Sequence, residues 1–137
     1  MTLIVVHRLS MASQNLYNLT VEDRAAYLYA CVEAEVITLD IAVRYINETI
    51  GHLRKSEHSR MLFVRETPMM ASKTQYSLIA AMIFNTLPSQ ARVALVDRSP
   101  AYPIVMECVN DLAAARQRDV QAFDSVDPAE AWLLQTA

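Results

Sequence analysis

Ala25-Ala-Tyr-Leu-Tyr-Ala-Cys-Val-Glu-Ala-Glu-Val-Ile-Thr-Leu-Asp40 is the stretch that decides the fold. Its first half carries Tyr, Leu and Val on both faces of a two-residue alternation, as a strand inside a sheet does. Its second half ends in Thr38, a helix-capping residue, after which the period changes to 3.6. Ala42, Tyr45, Ile46, Thr49, Ile50 and Leu53 form one apolar stripe, which predicts a helix to about Lys55. Asp40, Arg44, Asn47 and Glu48 occupy the opposite face, with Arg44 and Glu48 one turn apart. Gly51 weakens this helix slightly. Arg54, Lys55, His58 and Arg60 gather where the helix dipole is negative, which accounts for them without an anion site.

Upstream, Leu16 to Leu19 reads as a partner strand joined to Ala25–Val32 through a polar turn at Val21-Glu-Asp-Arg24. So short a connection makes the pair antiparallel. Residues 1–14 read either as a mobile lead-in or as an edge strand. Their apolar run, Leu3 to Val6, is too short for a secretion signal or a membrane span.

Downstream, short apolar runs alternate with helical periods. Met61–Val64 is a buried strand closed by Pro68, and Ser72 caps a helix to about Leu87 with Leu78, Ile79, Met82 and Ile83 inward. Val93–Val96 is the next strand. Pro103 opens a helix to about Arg118, with Val105, Met106, Val109, Leu112 and Ala113 inward. Val120–Phe123 is the last strand, and Asp127-Pro-Ala-Glu130 reads as a capping box for a final helix with Trp132. The fold class is α/β: a single domain over 15–137, with a mixed sheet that opens on an antiparallel hairpin and continues in βαβαβα crossovers.

Composition narrows the function. The 137 residues suit one core, which buries roughly two-thirds of the surface of the unfolded chain. A net charge of −3 argues against nucleic acid as a partner, and a single glycine excludes a glycine-rich phosphate loop. Cys31 and Cys108 lie inside apolar segments and read as reduced core residues of a cytoplasmic protein. His7, His52 and His58 accompany no nucleophile elbow and no zinc spacing, so no catalytic residue, metal or cofactor is assigned. Glu48 and His52, one turn apart, read as a solvated surface contact.

The layout resembles the anti-sigma-factor antagonist (STAS-like) superfamily, in particular its stand-alone bacterial members. The likeness rests on the hairpin at Leu16-Tyr-Asn-Leu-Thr20, the Ala25–Ala34 strand with Val36-Ile-Thr-Leu-Asp40, the Arg92–Asp97 strand, and the closing Asp127-Pro-Ala-Glu-Ala-Trp-Leu-Leu134. It covers about residue 15 to the end. The resemblance implies a non-enzymatic module that binds a protein partner and is switched by serine phosphorylation at a helix start. The family's Asp-Ser-Ser-Gly run is absent here, where the chain reads Arg65-Glu-Thr-Pro-Met-Met-Ala-Ser72-Lys. Ser72 is the nearest serine, and a phosphate there would sit favourably on a helix dipole.

Two surfaces follow. Met69 and Met70, in an apolar loop before a helix start, suit an adaptable partner surface, although Met also fills cores. The high apolar fraction also suits a homodimer. Alternatively, the strand exits Glu66-Thr67, Asp97-Arg98-Ser99 and Asp124-Ser125 form a rim if those strands are neighbours. Glu66, Asp97 and Asp124 would then suit Mg²⁺, and Arg98 an anion or small molecule. Asp, Ser and Thr are also the ordinary residues of strand exits. A phosphoacceptor receiver domain fails for want of a lysine after the last strand.

Overall fold

The computed structural model describes residues 16–70 and 72–135. The expectation for residues 1–14 therefore lies outside the described residues. Five strands and four helices run in the order β1 (Asn18–Asp23), β2 (Leu28–Glu33), α1 (Leu39–Lys55), β3 (Arg60–Glu66), α2 (Lys73–Thr86), β4 (Arg92–Asp97), α3 (Tyr102–Arg116), β5 (Asp119–Phe123) and α4 (Val126–Leu133).

The sheet order is β1-β2-β3-β4-β5, antiparallel between β1 and β2 and parallel thereafter. Each parallel strand is thus laid beside the one before it. One-step crossovers of a common hand put their helices on one face of the sheet. The main core is accordingly built by α1, α2 and α3 with Leu19, Val21, Leu28, Ala30, Val32, Phe63, Val93 and Leu95. Helix α4, which follows β5, packs on the other face. Ala129 and Leu133 of α4 close there over Leu62, Val64, Ala94 and Val96. Met61–Val64 of β3 and Val93–Val96 of β4 are continuous apolar runs because both faces of these strands are roofed there.

Several boundaries differ from the sequence reading. Val21, Glu22 and Asp23 belong to β1, and the turn is Arg24–Tyr27, closed by the Arg24 N–H on the Tyr27 carbonyl at 3.1 Å. Arg24 decides this shift, because its guanidinium binds Glu22 and Tyr27 Oη and lies 4.0 Å from the Tyr29 ring centroid. The final helix begins after Ser125 rather than Asp127, and Ser125 makes no side-chain capping bond. Pro128 is tolerated because first-turn amides have no intrahelical acceptor. Glu130, freed from a capping box, accepts from Tyr27 Oη.

Helix α1 buries its predicted stripe, with Ile41 added, and Thr38 Oγ1 accepts the Ile41 N–H. Thr49 is satisfied inside the core by donating to the Tyr45 carbonyl at 2.6 Å. Helix α2 differs, since its inward stripe is Tyr76, Ile79, Ala80, Ile83 and Phe84, leaving Leu78 53% exposed. Leu78 is two residues from both Tyr76 and Ala80 and so lies on the far side of the helix. Met106 of α3 is likewise exposed, beside the inward stripe Val105, Cys108, Val109 and Ala113.

Candidate functional site

The carboxyl ends of β3 and β4 carry the densest polar chemistry of the described residues. Alternation along β3 sends Met61 and Phe63 to the helical core, and Arg65 continues that series. On β4 the same series is Val93, Leu95 and Asp97, and pairing sets Arg65 opposite Asp97. Both side chains are buried, and Arg65 Nη1 meets Asp97 Oδ2 at 3.0 Å. The guanidinium donates from Nε to Tyr45 Oη at 2.9 Å and from Nη2 to Thr67 Oγ1 at 3.0 Å. The Tyr76 ring centroid lies 5.9 Å from it. Burial opposes the charge on Arg65, but Tyr45, Asp97 and Tyr76 outweigh it and hold its pKa above the ordinary value. Burial pushes the Tyr45 phenol up, so it stays neutral. The sequence pattern does not show this hub, because its apolar run ends at Val64 and places Arg65 outside the strand. A cation one residue beyond a buried apolar run, with Asp97 in the same place on the next strand, was the available signal.

The predicted rim is divided by these contacts. Glu66 and Arg98 form a half-exposed ion pair at 3.0 Å. With Ala34, Glu35, Thr67, Pro68 and Ser99 they line a shallow groove of about 580 Å³. Asp97 is turned inward to Arg65 and, through Oδ1, accepts the Ser99 N–H at 2.8 Å. Asp124 stands at the exposed end of β5, where its charge acts on Tyr102. The rim therefore unites Glu66, Arg98 and Ser99, while Asp97 and Asp124 take no part in lining the groove.

The two methionines separate in the same way. Met69 is 47% exposed, but Met70 is only 5% exposed and packs into the core. The Met70 N–H donates to Tyr76 Oη at 2.8 Å. Met70 is thus withdrawn from the expected surface, because Tyr76 anchors its backbone beneath the loop. Ser72 is exposed and caps α2, its Oγ accepting the Gln75 N–H at 3.3 Å.

Pairing of β2 with β3 sets Glu33 opposite Glu66. With Cys31 they are the group among the described residues whose ligand atoms lie within 4.8 Å of one another. Burial, then Glu66, raises the Cys31 thiol pKa, and Arg98 already neutralises Glu66. A protonated thiol and a paired carboxylate make a poor cation cage. The basic cluster after α1 does not converge either. Arg54 binds the Thr86 carbonyl, His58 pairs with Asp23 at 2.5 Å, and Arg60 reaches the Gln135 carbonyl. Behind the hub, a cavity of about 20 Å³ among Ile79, Ile83, Leu95 and Val105 has room for about one water and no metabolite.

This arrangement, a hairpin-led mixed sheet with three helices on one face and one on the other, is the STAS-like fold. The crystal structure of an anti-sigma factor antagonist from Mycobacterium paratuberculosis superposes with a TM-score of 0.62 at 16% identity, covering 93% of this chain and 100% of that one. No protein-family model and no curated protein matches the sequence. No helix among the described residues is long and apolar enough to cross a membrane.

Proposed function

We propose that the protein is a non-enzymatic regulatory module of the cytoplasm that acts by binding another protein. The surface is the β3–α2 loop with the first turn of α2. The observation that carries this reading is an apolar tip between two tethered residues: Met69 projects into solvent while Thr67 and Met70 are tied to Arg65 and Tyr76 below. A side chain offered from an ordered backbone binds without a large ordering cost. The fold shared with a protein described as an anti-sigma factor antagonist supports the regulatory class. Ser72, exposed at a helix N-terminus, is the residue where phosphorylation would switch the surface. The outward Leu78 and Met106 support a homodimer through α2 and α3.

The test begins with affinity capture from the cell of origin, comparing the parent chain with Met69→Asp. A protein retained by the parent and lost by the variant is then purified and titrated. Met69→Asp should weaken that complex by at least about tenfold. Equal binding by both chains removes the loop from the interface.

A second reading has its own observation, the groove shared by Glu66, Arg98 and Ser99. It makes the protein a binder of anions or small molecules at the rim. Phosphates, nucleotides or Mg²⁺ would then raise the melting temperature. Arg98→Ala would abolish the rise. A flat response across the panel rejects this reading.

A further inference from the structure

Two loops contribute to the wall of the groove at the carboxyl end, the one after β3 through Thr67 and Pro68, and the one after β4 through Arg98 and Ser99. Their joining lies beneath the groove floor. Arg65 Nη2 holds Thr67 Oγ1 of the first loop at 3.0 Å, and Nη1 holds Asp97 Oδ2 at 3.0 Å. The other Asp97 oxygen holds the Ser99 N–H of the second loop at 2.8 Å, and Ser99 Oγ holds the Ala101 N–H at 3.1 Å. Tyr76, beneath the guanidinium, fixes the Met70 N–H.

We propose that the buried Arg65–Asp97 pair couples these two loops, so that displacing one loosens the other. The reason is the asymmetry of buried charge. A hydrogen bond to a buried ion contributes modestly when made, but a partner pulled away leaves a desolvated donor or acceptor at full cost. The Arg65 and Asp97 side chains are 8% and 3% exposed, and the cavity they line has room for about one water, so bulk solvent does not replace every lost partner. Arg65 can follow a displaced Thr67 only by leaving Asp97 or Tyr45. Asp97 can turn to follow Arg65 only by releasing Ser99. The two loops therefore share one set of bonds, a contiguous network of the kind that transmits coupling. The coupling belongs to the loops themselves and does not depend on what binds them. Under the partner-binding reading, contact at Met69 would also be felt at Arg98 and Ser99.

Amide hydrogen exchange on the full chain tests this without any ligand. Met70 and Ser99 amides report the two loops, and the Leu62 amide of the central strand reports global opening. Thr67→Val keeps the shape and removes Oγ1. Relative to Leu62, it should speed exchange at Ser99, in the opposite loop, by about tenfold and shift the Ser99 and Ala101 amide resonances. In reverse, Asp97→Asn retains an oxygen for Ser99 but removes the charge, and should speed Met70 by a similar factor. Acceleration at Met70 alone in Thr67→Val, with Ser99 changed less than twofold and its resonance unmoved, overturns the coupling. Should Asp97→Asn fail to fold, the Thr67→Val result decides alone.

Discussion

Removing Arg65 would leave the Asp97 carboxylate buried, with the Ser99 N–H as its remaining hydrogen-bond partner. Stranding one member of a buried ion pair costs about 3–5 kcal/mol, far more than a typical surface pair contributes. Arg65→Ala should therefore lose about that much stability in urea denaturation, and a loss below about 1 kcal/mol would show that the site relaxes or floods. Tyr29 gives a residue-scale test in pH. Burial, then the neighbouring Cys31, pushes its phenol up to about 12 from the ordinary 10. The unfolded chain loses this proton first, so the contribution is complete below pH 10 and vanishes between 10 and about 12. The melting temperature should fall over that interval, and less steeply in Tyr29→Phe. A variant curve parallel to the parent removes Tyr29 from the alkaline transition. Met69 and Met70 show the limit of residue-by-residue reading. Their side chains are identical, but the Met70 amide is held by the Tyr76 hydroxyl and its side chain packs into the main core, while Met69 faces solvent.

Among the elements, α1 was legible because its polar and apolar faces are distinct, and all six stripe residues are buried as read. Gly51 lies within this helix, and an added Cβ there meets nothing within 4 Å. Gly51→Ala should raise stability by about 0.5–1 kcal/mol through backbone entropy alone, as read by the urea midpoint. An unchanged or lowered midpoint would point to a contact formed by the displaced turn. Helices α2 and α3 were less legible because apolar side chains surround them, and several stripes fit the same period. Tertiary packing selected Tyr76–Ile79–Ala80–Ile83 over the stripe containing Leu78. The opening hairpin was read in kind but not in register, since Val21-Glu-Asp looks like a turn until Arg24 clasps Glu22 and Tyr27.

At the scale of the molecule, the sheet has two roofs of unequal size. The smaller is α4, whose fully buried Leu133 closes Leu62, Val64, Ala94 and Val96. Leu133→Ala should cost about 2–5 kcal/mol, the range for a leucine removed from a close-packed site. Denaturation followed by Trp132 fluorescence and by far-ultraviolet circular dichroism should remain coincident, because both roofs share the central strands. Separated transitions would mean that α4 melts as its own unit.

Element type, element order and the antiparallel start were determined by the sequence itself, because side-chain period, caps and turn residues act over a few neighbours. Glu66, Arg98, Ser99 and Met69 were legible for the same reason, as polar or apolar residues at strand exits. Which strand lies beside which, and in what register, depends on pairing between segments about thirty residues apart. That tertiary decision alone set Arg65 opposite Asp97, drew Asp97 out of the groove, and left Asp124 at the far edge. A local pattern can say that a charge leaves a strand, but only the packed sheet decides whether it meets water or another charge.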